Sequence, residues 1–90
     1  MPKPFFSSQF KRDRKRMLKQ GKDDSRLKEV VSSLAEGIPL EPRNNDHPLY
    51  GEWSDFRECH IDPDWLLIYR MDAKNLYLAR TGTHADLFKA

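Results

Sequence analysis

Two helix-forming stretches followed by three strand-forming stretches predict an α+β fold, with two N-terminal helices packed on a small antiparallel sheet. Three observations carry that expectation. Leu27, Val30, Val31, Leu34, Ala35 and Ile38 recur at the spacing of one helix face. Beyond residue 52, β-rich stretches are separated by Asp62-Pro63-Asp64 and Asp72-Ala73-Lys74-Asn75, short polar runs that suit hairpin turns. The chain has 90 residues, room for one shallow core. Residues 1–90 are therefore expected to form a single domain.

Taken in order, Pro4–Ser7 reads as a short strand in which Phe5 and Phe6 supply bulk. A helix capped by Ser7 or Ser8 should follow to about Gln20, where Gly21 offers a C-terminal stop. Phe10, Met17 and Leu18 are expected on its apolar face, with Arg and Lys around the rest. Asp23, Asp24 or Ser25 can open the second helix, and Gly37 and Pro39 end it. Residues 38–52 contain Pro39, Pro42, Pro48, Asn44, Asn45 and Gly51 and read as a long irregular connection. Strands over about 53–60, 65–71 and 75–81 should form a meander. Trp65-Leu66-Leu67-Ile68-Tyr69 is continuous in large apolar side chains, as a central strand requires. Thr83–Phe88 is expected to make one helical turn.

Composition narrows the class. Hydrophobic residues make up 38% and aromatic residues 11%, which argues against disorder despite a mean hydropathy of -0.84. The longest apolar run falls far short of the roughly 20 residues that span a membrane. The start, Met-Pro-Lys-Pro-Phe-Phe, turns basic before a signal-peptide core could form. A single Cys59 excludes an internal disulfide and a multi-thiolate metal site. The expectation is a soluble cytoplasmic protein with no membrane partner. Net charge is only +2, yet the first 30 residues carry ten Lys/Arg against four Asp/Glu, and the remaining sixty carry six against ten. Most of the excess lies in Lys11, Arg12, Arg14, Lys15, Arg16 and Lys19. Such a strip suits phosphates, although a solvated helix face or a landing surface for an acidic protein would look the same.

Three histidines stand on three different elements: His47 in the connection, His60 at the end of the first meander strand, and His84 after the last. A meander returns residues 81–84 toward the edge shared by positions 60 and 65, so His60, Asp64 and His84 should meet, with His47 approaching from the loop. Arg57 and Arg80 flank this region on strands. Each could make an ordinary cross-strand ion pair, Arg57 with Glu58 or Asp55 for instance, or hold a guanidinium against a phosphate. Trp65, Tyr50 and Phe88 could stack on bases; Trp65 could equally be buried core. These groups suit RNA cleavage by a 2′-hydroxyl attacking its neighbouring phosphodiester. That reaction needs a base, an acid and a cation, and imidazole can serve in either proton role near neutrality. No metal or other cofactor is expected, because the nucleophile belongs to the substrate. Three His with an Asp or Cys could bind zinc, but the helical His-x-x-x-His and Cys-x-x-Cys spacings are absent. A nucleophile-elbow motif for Ser-His-Asp chemistry is absent as well.

The series Asp46-His47-Pro48-Leu49, Gly51-x-Trp53, Arg57-Glu58-x-His60, Pro63-Asp64-Trp65, Leu67-Ile68-Tyr69, Arg80-Thr81-Gly82-Thr83-His84 and Leu87-Phe88 closely resembles the YafQ branch of the RelE-type bacterial toxins. The resemblance covers about residues 46–88; residues 1–45 share the layout only. It implies a RelE-like microbial RNase fold and a ribosome-dependent mRNA endonuclease of a type II toxin–antitoxin pair, cutting the codon in the A site. The family's active-site positions fall here on His47, His60, Asp64, Trp65, His84 and Phe88. The chain ends two residues later, at Lys89-Ala90, as expected for a terminus beside the site. The basic helix then reads as an anchor on ribosomal RNA, and the partner as a small antitoxin that wraps the toxin. His84 is the expected general acid, His60 or Asp64 the base, His47 an assistant, and Arg80 the cation for transition-state charge. The competing reading is a non-catalytic RNA- or ribosome-binding module that blocks translation by occupancy.

Overall fold

The computed structural model describes residues 2–88; the expectation for Lys89-Ala90 lies outside them. Strand β1 (Lys3–Phe6) leads into α1 (Ser8–Lys19) and α2 (Asp24–Glu36). After a 3-10 turn at Pro42–Asn44 come β2 (His47–Pro48), a second 3-10 turn at Gly51–Trp53, β3 (Arg57–Asp62), β4 (Trp65–Met71), β5 (Asn75–Gly82) and α3 (His84–Phe88). The five strands form one sheet in the order β1-β5-β4-β3-β2.

The caps explain where the helices begin and end. Ser7 accepts the Phe10 backbone N–H at 2.9 Å, and Asp23 accepts that of Ser25 at 3.0 Å, so each satisfies a donor left open in a first helical turn. Gly37 closes α2 in the left-handed conformation, φ 73°, which an L side chain resists. Ile38, expected at the end of the apolar stripe, lies beyond this stop and is exposed.

The meander β3-β4-β5 forms as expected, and Trp65 to Tyr69 of β4 is almost completely buried. The antiparallel expectation needs correction at one edge: β1 pairs parallel to β5, with Phe5 opposite Tyr77. The chain between β1 and β5 runs through both helices and the other three strands, so no short turn imposes an antiparallel pairing. Lys3 and Ser7 donate their amides toward β5, so by strand alternation Pro4 turns its donorless nitrogen outward, where an edge strand tolerates it. The strand expected from residue 53 starts at Arg57, because the second 3-10 turn holds Trp53 and its carbonyl accepts the Phe56 N–H.

Helices α1 and α2 cover one face of the sheet. Phe10, Met17, Leu27, Val30 and Leu34 pack there against Cys59, Ile61, Trp65, Leu67, Tyr69, Leu76 and Leu78. Leu18, expected on this face, is exposed, and the position between Phe10 and Met17 is taken by fully buried Asp13. Facing strands would normally alternate in step. Between β4 and β5, however, Ile68 is opposite Arg80 while Tyr69 is opposite Leu78, leaving Ala79 as the extra residue of a bulge. Ser7 fastens that bulge, donating its hydroxyl to the Ala79 carbonyl at 2.8 Å. The bulge reverses the phase of β5, turning Thr81 toward the core and Arg80 away from it.

Candidate active site

Register lays two rows of side chains across the face turned away from α1 and α2. His47 is opposite Glu58, Glu58 opposite Ile68, and Ile68 opposite Arg80. One step along, His60 is opposite Leu66 and Leu66 opposite Gly82. Directly opposed residues point to the same side, so three basic groups and one carboxylate share a face floored by fully buried Leu66 and Ile68. After Gly82 the chain turns into α3, where Thr83 and Asp86 cap each other. The Asp86 N–H donates to Thr83 Oγ1 at 3.1 Å, and the Thr83 N–H donates to Asp86 Oδ2 at 3.0 Å. A methyl group on Gly82 would lie 3.0 Å from Asp86 Cβ, so the absent side chain lets this turn pack close and carry His84 back to the sheet.

There the expected grouping forms. His84 Nδ1 lies 2.9 Å from Asp64 Oδ1, and the His84 backbone N–H donates to the same oxygen at 3.2 Å. The rings of His60 and His84 meet edge to face with centroids 5.7 Å apart. His47 joins through a residue that sequence reasoning missed. Glu58 Oε1 is 3.6 Å from His47 Nε2 and 3.6 Å from His60 Nε2, and the Glu58 side chain is only 7% exposed. The available signal was its spacing of two from His60 on a strand, which puts both on one face.

The supposedly irregular connection is pinned to the sheet. His47 Nδ1 lies 2.7 Å from the Asn45 carbonyl, which leaves Nε2 free to face Glu58. Asn44 donates to the His60 carbonyl at 2.7 Å. Asp46 accepts from the Tyr69 hydroxyl at 2.6 Å and from Arg57 Nε at 3.3 Å. Arg57 therefore pairs with Asp46 and not with Glu58, its neighbour on the opposite face, or Asp55. Hydrogen bonds from the His84 ring and backbone hold the Asp64 carboxyl below the usual carboxylate range. Burial pushes the Cys59 thiol up, which leaves it inert as a nucleophile.

Trp65 is corrected to core. It is fully buried, and its Nε1 donates to Thr81 Oγ1 at 2.8 Å, because β4 packs its odd-numbered side chains under the helices. Phe88 at the end of α3 and Tyr50 in the connection are exposed. Arg80 lies on the site's face, with Nε and Nη2 bonded to Asp13 at 2.7 and 3.2 Å. The basic helix divides into two sets. Lys11, Arg12, Lys15 and Lys19 are exposed, whereas Arg14 forms a two-pronged pair with Asp24 and Arg16 reaches Asp13 and Asp86. Glu58, His60 and His84 each offer a donor atom within 4.8 Å of the others. Two imidazoles and a carboxylate could hold zinc or copper.

Comparison with known proteins identifies the family. Residues 3–89 match the family described as bacterial toxin of type II toxin-antitoxin system, YafQ. The mRNA interferase toxin YafQ of Escherichia coli K12 is 43% identical over 84 residues, covering 92% of this chain and 91% of that protein. The toxin in the crystal structure of the E. coli DinJ-YafQ toxin-antitoxin complex superposes with a TM-score of 0.89 at 41% identity, with 97% of each chain covered. A copper-bound mutant toxin from Helicobacter pylori superposes with a TM-score of 0.92 at 43% identity, over 98% of this chain and all of that one. With the family match spanning nearly the whole length and the α+β fold shared throughout, this chain belongs to the YafQ family of type II toxin–antitoxin toxins.

Proposed function

We propose that this protein is an endoribonuclease, an mRNA interferase that cuts mRNA in the ribosomal A site and so arrests translation. The convergence of His47, His60 and His84 on one face, each beside a polar partner, supports it best. The name mRNA interferase belongs to its E. coli relative, and 43% identity brings the activity to this chain.

In this reading the proton work is divided between His60 and His84. Asp64 engages His84 Nδ1, which leaves Nε2 for the departing oxygen; in this reading Asp64 orients the acid and His60 is the base. His60 Nε2 takes the proton from the 2′-hydroxyl, with Glu58 balancing the charge that results. The 2′-oxygen bonds to phosphorus, the bond from phosphorus to the 5′-oxygen breaks, and His84 Nε2 protonates the departing oxygen. The products are a 2′,3′-cyclic phosphate upstream and a 5′-hydroxyl downstream. His47 assists at the phosphate. Arg80 keeps Nη1 free of hydrogen bonds among the described residues and meets the charge that builds on the equatorial oxygens. Phe88 stacks on a base next to the cut. Exposed Lys11, Arg12, Lys15 and Lys19 contact ribosomal RNA. A cognate antitoxin, as DinJ is for the E. coli relative, neutralises the toxin in the cytoplasm.

No metal takes part in these steps. An ion on Glu58, His60 and His84 would remove both proton-carrying imidazoles, so loading with zinc or copper should inhibit. The deciding experiment maps RNA ends on programmed ribosomes, using a substrate with a 2′-deoxy scissile nucleotide as control. Cyclic-phosphate and 5′-hydroxyl ends, with the 2′-deoxy substrate bound but uncut, are expected. A 5′-phosphate end, or cutting of the 2′-deoxy substrate, would overturn the mechanism.

A further inference from the structure

Asp13 is the one acidic residue in the basic run of α1, and it is fully buried. A carboxylate at zero exposure needs compensation, and five hydrogen bonds supply it. Gln9 donates to Oδ1 at 3.0 Å, Arg16 to Oδ1 at 3.2 Å, Arg80 through Nε to Oδ2 at 2.7 Å and through Nη2 to Oδ1 at 3.2 Å, and the Thr81 backbone N–H to Oδ2 at 3.2 Å.

The last of these shows why the group sits there. Strand β1 pairs with β5 only as far as Phe6 opposite Leu78. Beyond that point β5 runs on as Ala79 to Gly82 with its outer edge uncovered by a strand, and an unpaired amide there needs a partner. Asp13 takes the Thr81 amide in place of a strand. It also grips the Arg80 side chain, which the Ala79 bulge has turned to the site's face. Through Arg16, 3.8 Å from Asp86, the same helix reaches the residue that caps the turn carrying His84.

We propose that Asp13 is a positioning residue for the cleavage site, holding Arg80 and the last turn of β5 in place from the basic helix. It touches no substrate atom and acts through Arg80. A carboxylate that served α1 alone would engage α1 donors; three of its five hydrogen bonds go to β5, at the residue before Thr81 and at Thr81 itself. The arrangement also joins the ribosome-facing helix to the reacting face by one side chain. The inference rests on the endoribonuclease reading.

A double-mutant cycle tests it, read as the single-turnover cleavage rate on saturating programmed ribosomes. Asp13→Asn keeps the shape and loses the charge. In the parent it should slow cleavage at least about tenfold with ribosome affinity unchanged. In an Arg80→Ala background the same substitution should change the rate by less than about twofold, since partners acting as a unit are not additive. Melting curves identify the folded fraction. Should Asp13→Asn not fold at the assay temperature, the cycle is run with Asp13→Glu, which retains the charge but displaces it, with the same expected pattern. A folded variant that cleaves like the parent overturns the proposal, as does an equal loss with and without Arg80, the signature of a purely structural group. A parent that cleaves nothing overturns the endoribonuclease reading and this inference together; a parent that cleaves beside an unaffected variant overturns this inference alone.

Discussion

The two faces of the sheet are built from the same strands and follow opposite rules. Under α1 and α2, the strand residues that pack, Cys59, Ile61, Leu67, Tyr69, Leu76 and Leu78 among them, are held by shape and area. On the other face, His47, Glu58 and Arg80 share one row and His60 and Gly82 the next, over a floor of Leu66 and Ile68. The covered face chiefly asks for apolar side chains of the right volume, with Trp65 and Tyr69 adding one hydrogen bond each. The open face depends on particular atoms, since an imidazole nitrogen has no apolar substitute. Stability and reactivity should therefore separate by face.

The sharpest break of that contrast is on the covered side. Leu67→Ala, at a fully buried position of the central strand, should destabilise the fold by about 2–5 kcal/mol. Cleavage by the molecules that remain folded should be unchanged. Denaturant titration with an assay corrected for the folded fraction checks this; a large loss per folded molecule would mean the faces are not independent. On the open side, His84→Gln should leave melting within a few degrees of the parent, because the ring is half-exposed at the chain's outer surface. It should slow single-turnover cleavage at least ~10²-fold, about 2.7 kcal/mol of barrier.

Asp13 bridges the two faces and sharpens the comparison through pH. Burial by itself pushes its carboxyl up, but hydrogen bonds from Arg80, Gln9 and the Thr81 amide outweigh this and hold it below the usual carboxylate range. A carboxyl lowered on folding stabilises fully above its unfolded value near ~4, and that contribution disappears as pH falls through the folded value. Asp13→Asn should then lower stability by about 1–3 kcal/mol at pH 7, with the gap to the parent narrowing below about pH 4. A gap independent of pH would mean the charge is not what matters. The smallest effect is expected away from both faces, where Lys11, Arg12 and Lys15 are exposed on α1. Replacing all three with Glu should weaken ribosome binding at least about tenfold at low salt and less at high salt, through lost counterion release. Melting should be unaffected.

Local chemistry was enough to read much of this architecture. Helix α2 follows from its apolar period and from Asp23 and Gly37 at its ends, and β4 from five large apolar side chains in a row. The grouping of His60, Asp64 and His84 follows from two short turns, because hairpins return the chain to a known edge. The phase of α1 was misread at Leu18, since a buried aspartate at the core position breaks the apolar pattern on which periodicity depends. Glu58 was hidden for a related reason. An acidic residue on a strand looks solvent-bound until folding shows two imidazoles 3.6 Å away, His60 on its own strand and His47 on the next. Trp65 carried both of its readings until packing placed it in the core. The parallel pairing of β1 and the bulge at Ala79 depend on partners some seventy residues apart, and no local pattern specifies them. That single extra residue turns Arg80 toward the reacting face and Thr81 toward the core, because side-chain direction along a strand has a period of two and one inserted residue reverses it.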